Sequence, residues 1–215
     1  MMDYYFISDD RFYLAGLQEI FNTVTSPVRV FFINAGDDAV IRQFRPSPGD
    51  VVIIAVDNLR LRRGLMKQST LGWCRLFLLP DVPVSGISRG TFPVILPRRV
   101  RPEVLLSHLR SASVTDFDCD FRYGSELGNM LFHGLSRGNS VSEMAKIFGV
   151  PAKYLYQLGR NIRREYGLDE CNISGLLICQ EILEMKAYRK VSRGVYSGVT
   201  ASRNNNRKRA GLKVK

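Results

Sequence analysis

The chain is predicted to fold as a doubly wound α/β parallel sheet, followed by an all-α helix-turn-helix domain and a disordered basic tail. Three observations predict this. Short apolar runs alternate with helical periods over the first 110 residues. A capping box, a tight turn and a proline follow one another between 140 and 151. The excess positive charge is concentrated at the C-terminal end. The 215 residues, 45% hydrophobic and 24% charged, are enough for two small domains with real cores.

The strands and helices of the first half follow in order. Tyr4 to Ser8 is an apolar run ending in acidic residues, and Phe12, Leu14, Leu17, Ile20 and Phe21 then recur at helical spacing. Val28 to Ile33 is a second strand, and Asp37 to Phe44 a short helix stopped by Pro-Ser-Pro-Gly at 46–49. Val51 to Val56 (VVIIAV) is continuously apolar and mostly β-branched, as expected of a parallel strand covered on both faces. Arg75 to Leu79 and Phe92 to Leu96 complete the sheet, with Pro93 weakening the last or placing it at an edge. Pro102 to Leu109 is a closing helix with proline at its start. The organisation is therefore 1–110 for the α/β domain, 111–124 for a linker, 125–190 for the helical domain and 191–215 for the tail.

Several function classes are excluded or disfavoured. No apolar run approaches the length of a transmembrane helix, and the first residues lack the regions of a secretory signal. Cys74, Cys119, Cys171 and Cys179 form no CxxC, and His108 and His133 stand apart, so neither a zinc site nor a disulfide framework is expected. Cys74, ahead of an apolar strand, reads as a buried thiol. The sequence carries no nucleotide-binding glycine motif, nucleophile elbow or metalloprotease motif. The expectation is a cytoplasmic protein that is not an enzyme, with no catalytic residue, metal, cofactor, small-molecule ligand or membrane partner.

The net charge of +11 is unevenly placed. Ten basic and no acidic residues lie between Lys186 and Lys215, leaving 21 basic against 20 acidic in the remaining 185. A near-neutral body with a basic tail suggests a polyanion partner. The alternative is a merely solvated terminus.

The helical domain supplies the chemistry. Ser140-Val-Ser-Glu143 is a capping box before Met144, Ala145, Ile147 and Phe148. Gly149-Val150 turns the chain, and Pro151 opens a second helix that Gly167 stops near Tyr166. At about 100° per residue, Leu155, Leu158, Ile162 and Tyr166 share one face of that helix, while Lys153, Tyr156, Gln157, Arg160, Arg163 and Arg164 share the other. Arginine reads guanine and glutamine reads adenine in the major groove, and the cations hold phosphates. Double-stranded DNA is the expected partner, with Tyr154 adding to the contact set. The alternative is a solvated basic face.

The stretch from Gly138 to Ile162 resembles the C-terminal helix-turn-helix of LuxR-type (NarL/FixJ-like, GerE-type) transcription regulators. Glu143, Met144, Ala145, Phe148, Val150, Leu155, Ile162 and Tyr166 occupy that family's packing positions. The departures fall on the second helix, where Tyr154, Tyr156 and Leu158 stand at the family's Thr, Lys and His. The resemblance makes Tyr156, Gln157 and Arg160 the base-reading positions. It also implies a closing helix that dimerises, for which 172–188 is suited, with Leu176, Cys179 and Leu183 on one stripe. A core helix of the monomer is the equal alternative for that segment.

An α/β domain ahead of such a unit is similar to a response-regulator receiver. Receivers use an acidic pair after the first strand, a phosphoacceptor aspartate after the third, a Ser/Thr after the fourth and a Lys after the fifth. With Gly16-Leu17 as anchor, Ser8 and Asp9 match the acidic pair, Asp10 falls outside it and Ala55 stands at the phosphoacceptor. Leu79-Pro80 lies near the Ser/Thr position and Arg98 replaces the Lys. The resemblance thus implies a degenerate receiver kept for assembly; Asp57, two residues further on, would be the phosphoacceptor if the alignment slips. The opening at residues 8–17 is similar to that of enterobacterial auxiliary regulators of the LuxR type, which often pair with a second regulator. The expected function is a DNA-binding transcription regulator, phosphorylation-independent, assembled as a homodimer or with a partner regulator. The alternatives are a phosphorylatable response regulator, or a protein that modulates another regulator without reading DNA.

Overall fold

A computed structural model describes residues 2–22, 29–86, 92–114, 126–171 and 173–186. The elements are β1 (Asp3–Ser8), α1 (Arg11–Asn22), β2 (Arg29–Asn34), α2 (Asp38–Gln43), β3 (Val51–Ala55), α3 (Leu59–Met66), a 3₁₀ turn (Ser69–Trp73), β4 (Arg75–Leu78), β5 (Val94–Ile95), α4 (Pro102–Val114), α5 (Glu126–Ser136), α6 (Val141–Phe148) and α7 (Ala152–Glu165). A last helix, α8, covers 173–186. The five strands are all parallel, in the order β2-β1-β3-β4-β5. This is one of the two common doubly wound orders, and it places ligand-binding loops at the carboxyl ends of the strands.

Alternation along the strands sorts the core into two layers. Tyr4, Phe6, Val51, Ile53, Phe77 and Leu79 face Leu14 and Leu17 of α1 and Leu105 and Leu109 of α4. Ile7, Ile33, Val52, Ile54, Leu76 and Leu78 face the opposite way, among Leu65 and Met66 of α3. β3 is buried at every position, as its β-branched run requires, and β5 lies at the sheet edge. Pro93 shortens that last strand to two residues.

The structure differs from the sequence reading in three places. α3 was not anticipated, because Arg60, Arg62, Arg63 and Gly64 mask its apolar period; Asn58 caps it, its side chain accepting from the amides of Arg60 and Leu61. α4 runs on to Val114, into the span expected as linker. The remainder of that linker, Cys119 and the tail from 191 lie outside the described residues. The third difference concerns α8. Cys179 and Leu183, two members of its proposed dimer stripe, are 0% and 1% exposed within the single chain, and Leu176 is half-buried. The segment is a core helix of the monomer, and the expectation of a dimerising closing helix is corrected accordingly.

α8 joins the two halves. Ile178, Cys179, Ile182 and Leu183 belong to one apolar cluster with Leu131, Met144, Leu155 and Ile162 of the helical domain and with Leu65 and Met66 of α3. Across this seam the Arg62 guanidinium donates from Nε to Glu181 at 2.8 Å and from Nη1 to the Val56 carbonyl at 3.2 Å. A second seam ties the β4–β5 connection to the end of α7. The Ser85 amide donates to the Gly167 carbonyl at 2.8 Å, and the Cys171 thiol to the Pro83 carbonyl at 2.9 Å. Gly167 has φ +67°, and a β-carbon there would lie 2.9 Å from the Ser85 carbonyl oxygen. Both the left-handed turn and the close approach require glycine at this point.

Candidate nucleic-acid interface

The helix-turn-helix forms as its sequence signals predict. The Ser140 side chain accepts from the Glu143 amide at 3.2 Å, and the Glu143 carboxylate accepts from the Ser140 amide at 2.7 Å. These reciprocal bonds hold the Glu143 carboxyl below the ordinary carboxylate range. Ser140→Ala should cost about 1 kcal/mol of stability, measured by urea unfolding. Gly149 ends α6 in the left-handed region at φ 65°, which makes the turn, and Pro151 then caps α7. On α7, Leu155, Gly159 and Ile162 are buried. Gly159 lies where a β-carbon would already touch Leu131, so α5 packs closely along this face.

The opposite face of α7 is open to solvent. Lys153, Tyr154, Tyr156, Gln157, Arg160 and Arg164 are exposed. Tyr156, at 62%, presents most of its ring to solvent rather than packing it against the domain. Arg163 behaves differently: it is half-buried, and its Nε donates to the Gly159 carbonyl of its own helix. It therefore stands at the margin of the face. Asn161, absent from the sequence-derived set, lies on this face and accepts from Gln157 Nε2 at 2.8 Å. The spacing of four residues between a glutamine and an asparagine is the available signal. Tyr166 is buried and its hydroxyl is hydrogen-bonded to Lys186 Nζ, which anchors the end of α7 to α8.

At the carboxyl ends of the strands, the positions that a receiver would use are brought together around Arg98. Its Nη1 donates to the Ala55 carbonyl at 2.7 Å and to Asp57 at 2.9 Å, and its Nη2 to Ser8 Oγ at 3.2 Å. The Asp10 carboxylate lies 3.9 Å from the same guanidinium, which also sits 4.7 Å over the Tyr13 ring. The second Asp57 oxygen accepts from the Asp81 amide at 3.3 Å. The Asp9 carboxylate accepts from the amides of Asp57 and Asn58, at 3.1 and 2.8 Å, and so pins the β3–α3 loop. These residues do not fit a divalent cation: a fixed positive charge already stands among the acids, and the best-placed carboxylate is spent on backbone amides. Among the described residues, no three His, Cys, Asp or Glu side chains are grouped so as to hold a metal ion.

The class defined by this geometry is a doubly wound domain of receiver-like order joined to a helix-turn-helix domain. No protein-family model matches the sequence, and a search of curated proteins finds no relative. Solved structures to which the chain is similar include RcsB from Salmonella enterica serovar Typhimurium bound to promoter rprA with a phosphomimetic, at 13% identity and a TM-score of 0.44, covering 84% of this chain and 98% of that one. Another is a complex of the two-component response regulator RcsB with DNA, at 15% identity and a TM-score of 0.42, covering 83% and 96% of the two chains. A third, two RcsB dimers bound to two parallel DNAs, shares 14% identity at a TM-score of 0.41, covering 83% and 97%. Among the described residues, no helix is long and apolar enough to cross a membrane.

Proposed function

We propose that the protein is a DNA-binding transcription regulator of LuxR type that reads the major groove with α7, through Tyr156, Gln157 and Arg160. Lys153 and Arg164 hold phosphates, with Tyr154 and Arg163 at the edges of the contact. The observation that carries this reading is the two-sided character of α7: an apolar face seated on α5 and α8, and a face of cations, amide and phenol left exposed by the described residues. Every surface helix has a polar face; what supports groove reading is that this one follows the turn of a helix-turn-helix and presents cations with an amide among them.

The receiver-like domain is proposed to act without phosphorylation, as an assembly module, because Arg98 occupies the phosphoacceptor neighbourhood. Assembly is with a second copy or with a partner regulator, since a lone helix-turn-helix rarely binds tightly. The stripe of α8 is buried, so the contact must use another surface.

The test is binding of the full chain to a randomised duplex library. Wild type should enrich a defined sequence, and Gln157→Ala/Arg160→Ala should abolish the enrichment while the protein remains folded. Enrichment that survives the double variant overturns the assignment of α7. Removal of residues 192–215, which takes away seven cations, should flatten the dependence of log affinity on log salt by up to about 0.9 for each phosphate no longer contacted. An unchanged slope would mean that the tail does not touch DNA.

A second reading, modulation of another regulator without base reading, draws on the two exposed tyrosines of α7. In that case the duplex library yields nothing, and α7 engages a protein.

A further inference from the structure

The Gln157–Asn161 pair goes beyond the assignment of α7 as a reading helix. A free glutamine on a helix surface has three rotatable bonds, and holding its amide in one orientation on a base costs side-chain entropy. Here one Nε2 hydrogen is committed to the Asn161 Oδ1 at 2.8 Å, with both residues exposed. In this arrangement the bond holds the Gln157 amide nitrogen toward Asn161. It leaves the second N–H donor and the Oε1 acceptor uncommitted by the pair. An adenine in the major groove offers the complementary pair, the N7 acceptor beside the N6 donor. Guanine, with two adjacent acceptors, would leave Oε1 facing an acceptor.

We propose that Asn161 is a positioning residue for base specificity: by holding the Gln157 amide it selects an A·T pair at the position that Gln157 meets, without touching the base itself. This rests on the reading of α7 as a major-groove helix. The surrounding charges suit the role. Lys153 and Arg160 lie on the same face and Arg164 one turn beyond, so backbone contacts would set the register in which the amide meets the base.

The experiment is selection from a randomised duplex library with the full chain, comparing wild type, Gln157→Ala, Asn161→Ala and Asn161→Asp. Preference at each base is scored as a ratio against the other three, so that uniform changes in affinity cancel. Wild type should show an adenine position that Gln157→Ala abolishes. Asn161→Ala should weaken the preference at that position alone by about 1.4- to 2.3-fold, the most that one exposed i,i+4 side-chain hydrogen bond supplies. Asn161→Asp keeps the acceptor, so it should keep the ratio while lowering affinity for all sequences through its charge. Circular dichroism confirms that each variant is folded, which the exposure of residue 161 favours.

Undiminished preference in Asn161→Ala, or loss of it in Asn161→Asp, overturns the positioning role and leaves α7 as the reading helix. Failure of wild type to enrich any sequence removes that reading, and the inference with it.

Discussion

Arg62→Ala should lower the stability of the folded protein by about 3–5 kcal/mol, the usual cost of leaving one member of a buried ion pair alone. The side chains of Arg62 and Glu181 are only 9% and 2% exposed, and the pair lies between α3 of the first domain and α8 of the second. Burial pushes the Glu181 carboxyl up from its ordinary range against the opposing pull of Arg62, and its Oε1 has no hydrogen-bond partner among the described residues. Without the guanidinium, the carboxyl rises further. A carboxyl whose folded-state pKa exceeds its unfolded value contributes stability below the unfolded pKa and loses it as pH rises through the folded one. The deficit of Arg62→Ala should therefore be smaller at pH 5 than at pH 8.

Urea unfolding at the two pH values checks both statements, and an equal deficit at each would mean that the carboxyl is solvated once its partner is gone. Arg62→Met/Glu181→Leu should recover most of the loss, because an apolar pair of similar volume carries no desolvation penalty. The neighbouring Arg63–Glu184 pair, at 3.9 Å and about one third exposed on each side, should give less than about 1 kcal/mol when broken.

The difference between these two pairs shows why the interdomain seam was not legible in the sequence. Arg62 is one of three arginines within Leu59–Met66; only once the helix is given does its spacing from Leu65 and Met66 place it on the buried face. Its partner lies 119 residues away. α3 itself is hidden by the same cause, since Arg60, Arg62, Arg63 and Gly64 interrupt its apolar period. By contrast, β1, β3 and β4 and the turn at 46–49 were legible because parallel strands covered on both faces must be continuously apolar. The helix-turn-helix was more legible still. Ser140, Glu143, Gly149, Pro151 and Gly167 each make a backbone-level demand that few other residue types meet, and all five are met in place.

The face of α7 was legible as a set of residue types but not as a set of geometries. Helical angles put Arg163 beside Arg160, yet Arg163 folds back onto Gly159, because −20° lies close enough to the apolar stripe to be drawn in. The same arithmetic places Asn161 at about +140°, outside the counted arc. Its importance comes from its bond to Gln157, which a wheel does not show. The stripe on α8 is legible as apolar; what the sequence leaves open is its partner, which is a core shared by the helical domain and α3.

Arg98→Ala is the second substitution with a large expected effect, about 1.5–3 kcal/mol of stability for the loss of charge-assisted hydrogen bonds at a nearly buried site. The guanidinium, 9% exposed, meets five groups from three parts of the domain: Ser8 and Asp10 at and beyond the end of β1, Ala55 and Asp57 at and beyond the end of β3, and the Tyr13 ring on α1. Arg98→Lys should recover less than half of the loss. A single ammonium cannot reach the Ala55 carbonyl, Ser8 and Asp57 at once while also lying flat over an aromatic ring. The alanine variant leaves Asp10 and Asp57 without their shared cation, so mutual repulsion should make its stability more sensitive to low salt than that of wild type.

The same geometry bears on phosphorylation. In wild type both Asp57 oxygens are engaged, one by Arg98 and one by the Asp81 amide, an arrangement that opposes attack on a phosphodonor. Incubation of the full chain with a small phosphodonor and Mg²⁺ should leave its intact mass unchanged. A stable phosphate adduct, absent from Asp57→Ala, would show that Arg98 yields its place readily, and would restore the reading of this domain as a working switch.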